Sequence, residues 1–556
     1  MAICSQTAGS DAATKLTVLM LWLLLAAFVV YPLARLLLMA FTADGSFTLA
    51  NLRPFIDSWY DRQAAVNSIL LGCSVGLAGT VLGFIFAYAV TRLSMPKWLK
   101  MAVSAVTLLP LISPPFTSSI ALTLSLGPNG ILLELLGLGN FNFYGFWGTF
   151  ISETLTFFPV AFMTLSTILA RIDPNLEDAA YSLGASSFKV FRSVTLPLAA
   201  PGIANAFLLV FSCSLADFAT PQVLGGHSFP VLPTQAYLQI TGMYDFKGGS
   251  ALSFMLLIPA IAVYVLQRYW VGKKSYVTVS GKAGGRSSVK GPGLMLTSGI
   301  VGVVAFVSVF IMYLYAIILS ASMVKIWGIN NTLTLEHYEY VFTYGMKAIK
   351  DTLLIACIGT PLGGLLAVLV GYATTRLKVR GSRTLETVSL LNYTLPGTVV
   401  GIAYIIAFND KPIVLTGTLY ILVAAYVFRY SSAGIRNVIA ALTQIDPSIE
   451  EASRSLGASS VKTFTSVTVP LVLPAILAGM RYLFIHSMTA ISATIFLVSV
   501  HWTLITTRIL ECMTELQFAQ ACAFSMVLIG LVFIASGVMN LIARALCRNG
   551  DAIGVH

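Results

Sequence analysis

Two short polar segments hold most of the residues in this 556-residue chain that could do chemistry. Segment 172–203 reads IDPNLEDAAYSLGASSFKVFRSVTLPLAAPGI and segment 445–476 reads IDPSIEEASRSLGASSVKTFTSVTVPLVLPAI; at a constant offset of 273 they are identical at 20 of 32 positions. Each carries adjacent acids, Glu177-Asp178 and Glu450-Glu451, and a serine pair, Ser186-Ser187 and Ser459-Ser460. Paired carboxylates can exchange protons, and a serine becomes a nucleophile when a base lies in reach. Neither segment contains a histidine, and the five histidines of the chain are scattered without metal-ligand spacing. The seven cysteines form no CxxC pair and read as small buried hydrophobes. Neither nucleophilic catalysis nor a metal held by a dedicated protein cage is expected.

What the segments do encode is shape. Asp173-Pro174 and Asp446-Pro447 read as an N-cap followed by proline at the first helical position, where a missing N–H is harmless. The acids at 177–178 and 450–451 follow within the region favoured by the helix dipole. Gly184 and Gly457 should end the helix in the left-handed conformation. Ser186 and Ser459 can cap a second short helix, which Pro197 or Pro470 is expected to close. The outcome is a compact helix–turn–helix knob, made twice.

The rest of the chain must position these knobs. Hydrophobic residues make up 57% and charged residues 10%, whereas a soluble chain carries about 25% charged residues. Long apolar runs, each able to cross a hydrocarbon core that needs ~20 helical residues, predict spans at 16–41, 66–91, 101–126, 146–171, 200–222 and 250–271. A second set follows at 293–320, 351–375, 385–408, 415–436, 472–497 and 518–542. The first run is too long for a signal-peptide core and is read as retained. The fold class is therefore an all-α polytopic membrane protein of about 12 transmembrane helices in two six-helix repeats. Six is even, so both repeats enter the membrane in the same sense and are parallel. A weaker echo, Asn67…Thr91-Arg92-Leu93 against Asp351…Thr375-Arg376-Leu377, has an offset of 284, so the first half carries extra residues, placed in 127–145. The halves are 1–272 and 294–556, and 273–293, rich in Gly, Ser, Lys and Arg, reads as a solvated linker.

Charge sets the orientation. With both termini in the cytoplasm, 22 of the 33 Lys and Arg fall in or at the edge of cytoplasmic segments, eight fall outside, and Arg35, Arg429 and Arg481 lie within spans. This is the positive-inside pattern, so the net charge of +11 is a topology signal rather than a nucleic-acid patch. Ionisable groups inside a membrane are functional candidates: Asp217 with nearby Ser214 towards the outer end of the fifth span, and His486 and Thr489 around its second-half equivalent, Ala490. Pro114-Pro115 and Pro396-Gly397 interrupt the third spans, and broken helices expose backbone that a cavity can satisfy. Arg429 and Arg481 are expected to snorkel or brace spans, and His486 to be an interhelical donor.

The repeated segments resemble the EAA signature of binding-protein-dependent (type I) ABC importer permeases: acid-Ala-Ala, three residues, Gly, nine residues, then Ile-x-Leu-Pro. Here it stands as Asp178-Ala179-Ala180, Gly184 and Val194-Thr195-Leu196-Pro197, and as Glu451-Ala452-Ser453, Gly457 and Val467-Thr468-Val469-Pro470. Asp for Glu, Ser for Ala and Val for Ile are the departures. The resemblance implies that each knob is a coupling helix docking in an ATPase subunit, with Glu177/Asp178 and Glu450/Glu451 meeting basic groups there. It implies two copies of a cytoplasmic ABC ATPase, which would hold ATP and Mg, an external substrate-binding protein, and a place in a bacterial inner membrane. This chain has no G-x-x-x-x-G-K-S/T phosphate loop, and it is expected to be no enzyme and to need no cofactor of its own. The fused halves, Leu215-Ala216-Asp217-Phe218-Ala219-Thr220-Pro221 and Gln267-Arg268-Tyr269-Trp270 resemble the ferric-iron branch. Permeases for phosphonates, sugar phosphates, thiamine and polyamines share that likeness, and an ion-coupled secondary carrier would also have parallel halves but no reason for paired knobs.

Overall fold

In a computed structural model the structure describes residues 12–43, 45–127, 130–135, 137, 142–271, 293–377 and 381–551. The linker expected over 273–293 lies outside them but for its last residue. The first half contains α1 (Lys15–Ala40), α2 (Trp59–Arg92), the broken pair α3 (Lys97–Ile112) and α4 (Thr117–Leu126), α5 (Phe146–Arg171), the knob helix α6 (Pro174–Ser182), α7 (Ser187–Leu215) and α8 (Phe246–Tyr269). The second half repeats the order: α9 (Leu296–Ala321), α10 (Met346–Thr375), the broken pair α11 (Ser382–Thr394) and α12 (Gly397–Phe408), α13 (Leu419–Gln444), the knob helix α14 (Ser448–Ser455), α15 (Ser460–Thr489) and α16 (Phe518–Leu546). Two antiparallel hairpins, Thr42–Ala43 with Ser46–Phe47 and Val324–Ile326 with Asn330–Leu333, follow α1 and α9.

Among the described residues nine helices are long and apolar enough to span a membrane, or eleven if each bent pair counts as one. The remaining expected span, 415–436, corresponds to α13, which has the length at 26 residues but is more polar than the others. It can be, because Tyr426, Ser431 and Ser432 on it are buried in protein rather than turned to lipid. Two expectations are corrected. The fifth and eleventh spans, expected to start at 200 and 472, begin at Ser187 and Ser460, inside the knobs. Pro197 and Pro470 therefore close nothing: each lies just after a π-turn, Phe191–Thr195 or Phe464–Thr468, within a continuous helix. The wider turn accommodates a residue that has no N–H to give to the preceding turn.

Within each half the packing centres on a three-helix group, α2 with α5 and α7, and α10 with α13 and α15. Small residues permit the approach. A Cβ on Gly83 would lie 2.6 Å from that of Ala161, and one on Gly479 would lie 2.3 Å from the Cα of Gly434. Cys73 and Cys357, at corresponding positions of α2 and α10, face outward rather than into the core, while Cys512 and Cys522 are buried.

The halves are interlocked. The first helix of each packs on the broken third span of the other: α1 on α12, and α9 on α4. Tyr404 Oη and Asn392 Nδ2 both donate to the carbonyl of Phe28, at 2.6 and 3.4 Å. On the other side Tyr315 pairs with Ser113 (2.6 Å), Tyr313 with Ser125 (2.9 Å), and Trp327 donates to the carbonyl of Leu124 (3.1 Å). Both large apolar cores mix residues from the two halves. Gly479→Val, which forces the Gly434–Gly479 backbone contact apart, is expected to destabilise the detergent-purified protein by about 1–3 kcal/mol. Loss of thermal stability relative to Gly530→Val, where a Cβ meets nothing within 4 Å, measures it.

Candidate functional site

Each knob forms as its sequence dictates. Asp173 Oδ1 accepts from the N–H of Asn175 at 3.0 Å, and Asp446 Oδ1 from that of Ser448 at 2.9 Å. The second bond holds the exposed Asp446 carboxyl below its usual range. Ser186 and Ser459 cap the next helices through the N–H groups of Lys189 and Lys462, at 3.4 and 3.3 Å. Gly184 and Gly457 turn the chain at φ +81° and +87°, a conformation that costs other residues a steric penalty.

The knobs are then bolted to the second span of their own half. Glu177 receives Arg92 at 3.4 Å and the Thr195 hydroxyl at 2.8 Å; Glu450 receives Arg376 at 3.1 Å and the Thr468 hydroxyl at 3.1 Å. The same arginines donate to the carbonyls of Ile172 (3.3 Å) and Ile445 (2.8 Å) at the knob entrances. Arg454 adds a third contact to Glu450 at 3.6 Å in the second copy, where the first copy has Tyr181. Glu177 and Glu450 are buried, 4% exposed each. The expectation that they meet an outside partner is corrected, since an acid already paired in a closed pocket is held there by the cost of stripping its partner. Arg92 and Arg376 sit in the Thr-Arg-Leu echo at 91–93 and 375–377, so their signal is present in the sequence.

What the knobs offer outward is apolar. Leu176, Ala179 and Leu183, and equally Ile449, Ala452 and Leu456, fall at helical spacing on one exposed face, and Leu183 and Leu456 are 88% and 89% exposed. Glu451 is exposed beside this face and Asp178 half-buried. The structure thus separates the paired acids: the first of each pair fastens the knob and the second lies nearer its surface.

At the far end of α2 and α10 the symmetry continues. Ser68 and Thr352 hydroxyls accept from the N–H groups of Leu232 and Ile505 (2.8 and 3.0 Å), pinning the loops that follow α7 and α15. Beside them Asn67 donates to the carbonyl of Pro230 at 2.9 Å, whereas Asp351 accepts from the N–H of Thr503 at 3.1 Å and from Lys347 at 3.0 Å.

A cavity of about 150 Å³ lies between the halves. Its first-half wall includes Ser113, Pro115, Thr156 and Phe157, and its second-half wall Gly397, Arg429, His486, Thr489 and Ser492. Both span breaks therefore border it; α11 and α12 meet at 106°. Pro114 and Pro396 adjoin lining residues without lining the cavity themselves. Arg429 braces its own break, its Nη1 donating to the carbonyls of Asn392 (3.0 Å) and Leu395 (2.9 Å). Arg481 braces α15 against Asn540 at 2.7 Å. The His486 ring, expected to donate to a neighbouring helix, instead packs between the rings of Tyr430 and Tyr482, with centroids 5.5 and 4.1 Å away.

Asp217 and Ser214 stand apart from this cavity. Asp217 is buried just beyond the end of α7, capping the N–H of Ala219 at 3.0 Å. The Ser214 hydroxyl donates to Glu153, which is wholly buried on α5. One oxygen of each acid, Glu153 Oε1 and Asp217 Oδ2, has no hydrogen-bond partner. The sequence signal for Glu153 is a lone acid in the apolar run 146–171, which the expectations above pass over. Among the described residues no three His, Cys, Asp or Glu side chains gather as a metal site.

Arg376→Ala, which strands Glu450 as a buried charge, is expected to cost about 3–5 kcal/mol, with Arg376→Ala/Glu450→Gln recovering much of it. Faster amide exchange over 445–468 in the single variant alone measures the bolt. Comparison with known proteins agrees with this duplicated plan. Residues 79–275 and again 359–547 match the family described as binding-protein-dependent transport system inner membrane component. The putative ferric transport system permease protein FbpB 1 of Haemophilus influenzae is 38% identical over 493 residues, 86% of this chain and 77% of that protein. The ferric transport system permease protein FbpB of Actinobacillus pleuropneumoniae is 37% identical over 522 residues, 91% of this chain and 75% of that one. A spermidine/putrescine transport system permease protein, PotC of H. influenzae, is 26% identical over 228 residues, 39% of this chain but 83% of its own length. By the double match across both halves, the chain belongs to the family of binding-protein-dependent transport system inner membrane components.

Proposed function

We propose that this chain forms the membrane pathway of an ATP-driven ferric-iron importer, receiving cargo from an external binding protein and force from two copies of a cytoplasmic ABC ATPase. ATP and Mg belong to those partners, and hydrolysis takes place there. The observation that carries the reading is the pair of bolted knobs, each presenting an exposed apolar face with an acid beside it. A face of that kind on a small projecting helix fits a cleft in a partner, and burial of Leu183 or Leu456 would supply much of the affinity.

The mechanism follows from the attachment. When the ATPase pair closes, the knobs approach one another. Each ion pair passes the displacement to α2 or α10, and the continuous helix through the π-turn passes it to α7 or α15. α2 and α10 pack on the broken spans and α15 lines the cavity with His486 and Thr489, so the cavity between the halves opens to one side or the other as the two groups rock. Both termini lie in the cytoplasm in this arrangement, on the side of the basic loops. Ferric iron as cargo is supported by the names of the two relatives that align across most of the chain.

Leu183→Asp combined with Leu456→Asp tests the docking assignment. Both side chains are exposed, so the variant should insert and fold normally, while its affinity for the ATPase falls by about tenfold or more for each knob. Co-purification of the ATPase and ATP-dependent uptake of labelled iron are the readouts. Full retention of both would rule the knobs out as the docking sites.

A further inference from the structure

We propose that the cavity between the halves is an anion-accepting site, so that cargo crosses as a complex carrying negatively charged oxygen ligands and not as a bare cation. The inference rests on the transport reading above and names the form in which the cargo travels. Among the described residues Arg429 is the only formally charged one lining the cavity, and no carboxylate lines it. Among the described residues no acid lies within ion-pair reach of its guanidinium. Two of its donor bonds go to the Asn392 and Leu395 carbonyls through Nη1, while Nη2 lies where a Cβ on Gly397 would be only 3.5 Å away. The first atom a Cβ at 397 would meet is the Cβ of Ser492, at 2.7 Å, so glycine there allows Ser492 to stand close beside Arg429.

The backbone adds charge of the same sign. Gly397 begins the 12-residue helix α12, and α4 begins two residues after the lining Pro115. Both half-helices therefore start at or beside the cavity wall, with the positive ends of their dipoles towards it. Each opens with a buried threonine, Thr117 or Thr398, whose hydroxyl has no partner. The Ser492 hydroxyl adds a neutral polar group to the lining. A trivalent metal ion stripped of its ligands would face the Arg429 guanidinium with no carboxylate in the lining to offset it, whereas a phosphate or carboxylate oxygen on that ion would be attracted to the guanidinium and two helix ends. The buried acids Glu153 and Asp217 belong to the first half and lie outside the lining, so they do not reverse the sign.

The test loads the external binding protein with radiolabelled ferric iron in a buffer whose sole coordinating anion is radiolabelled phosphate. The loaded protein is supplied to vesicles containing the full chain with its ATPase. Phosphate should enter with the iron, and Ser492→Asp, which places a carboxylate in the cavity and leaves the Arg429 brace untouched, should lower entry of both by about tenfold or more. Arg429→Gln should do the same, with Ser492→Asp guarding against a trivial folding loss. Iron entering without phosphate, or Ser492→Asp carrying iron as well as the unaltered chain, overturns the proposal. Equilibrium binding of labelled phosphate to the purified chain in nanodiscs separates this idea from the ferric assignment. If neither label enters the vesicles, the iron reading fails. Phosphate binding that Ser492→Asp abolishes then still sustains the anion site, and absence of binding by the unaltered chain sinks it.

Discussion

The buried ion pair between the knob and the second span of the same half is the interaction on which the rest of the structure depends. Without Arg92 on Glu177 and Arg376 on Glu450, each knob would be joined to its half only through the chain on either side, and its motion would not reach α2 or α10 directly. A buried pair of this kind contributes little net stability against an apolar replacement, but it is costly to break by halves. Its value is therefore positional. It fixes one orientation of a short helix that has too few residues to hold its place alone. The threonine hydroxyls and the entrance carbonyls satisfy the remaining donors and acceptors, which a closed polar cluster requires.

The two halves share this mechanical frame and differ in chemistry. Glu153 in the first half is Tyr426 in the second, Asp217 is Ala490, and Thr156 is Arg429. The knobs, pins and span breaks recur, whereas the groups lining or backing the centre do not. Fusion of the halves in one chain permits this, because each side of the cavity can carry its own residues while the pair is always assembled in one-to-one proportion. The second knob is also held by an additional arginine, Arg454, so the two attachments are unequal in strength as well as in sequence.

Local features were legible because they are written in adjacent residues. Asp173, Asp446, Ser186, Ser459, Gly184 and Gly457 all do in the structure what their types require. The apolar runs located the membrane helices, and the interruptions at Pro115 and Pro396 marked the bends. Legibility failed where the deciding partner is distant in sequence. Nothing near Glu177 announces that Arg92 will reach it, and a proline in a helix usually signals an end, so the π-turn before Pro197 was hidden. α13 runs past its expected end at 436 because the helix continues beyond the apolar stretch, with Asn437, Thr443 and Gln444 exposed on its last turns. The crossing of α1 and α9 onto the opposite half leaves no trace in either half alone.

That crossing bears on how the protein is made. The carbonyl of Phe28 waits for Asn392, 364 residues later in the chain. At ribosomal speeds of about 5–20 residues per second, on the order of 20 to 70 seconds separate the synthesis of the two partners. During that interval α1 must reside in the bilayer with its inner face covered by lipid, a chaperone or a provisional neighbour. Biogenesis therefore cannot proceed as the independent completion of one repeat and then the next, and α1, made long before its partner, is among the last helices to find its seat.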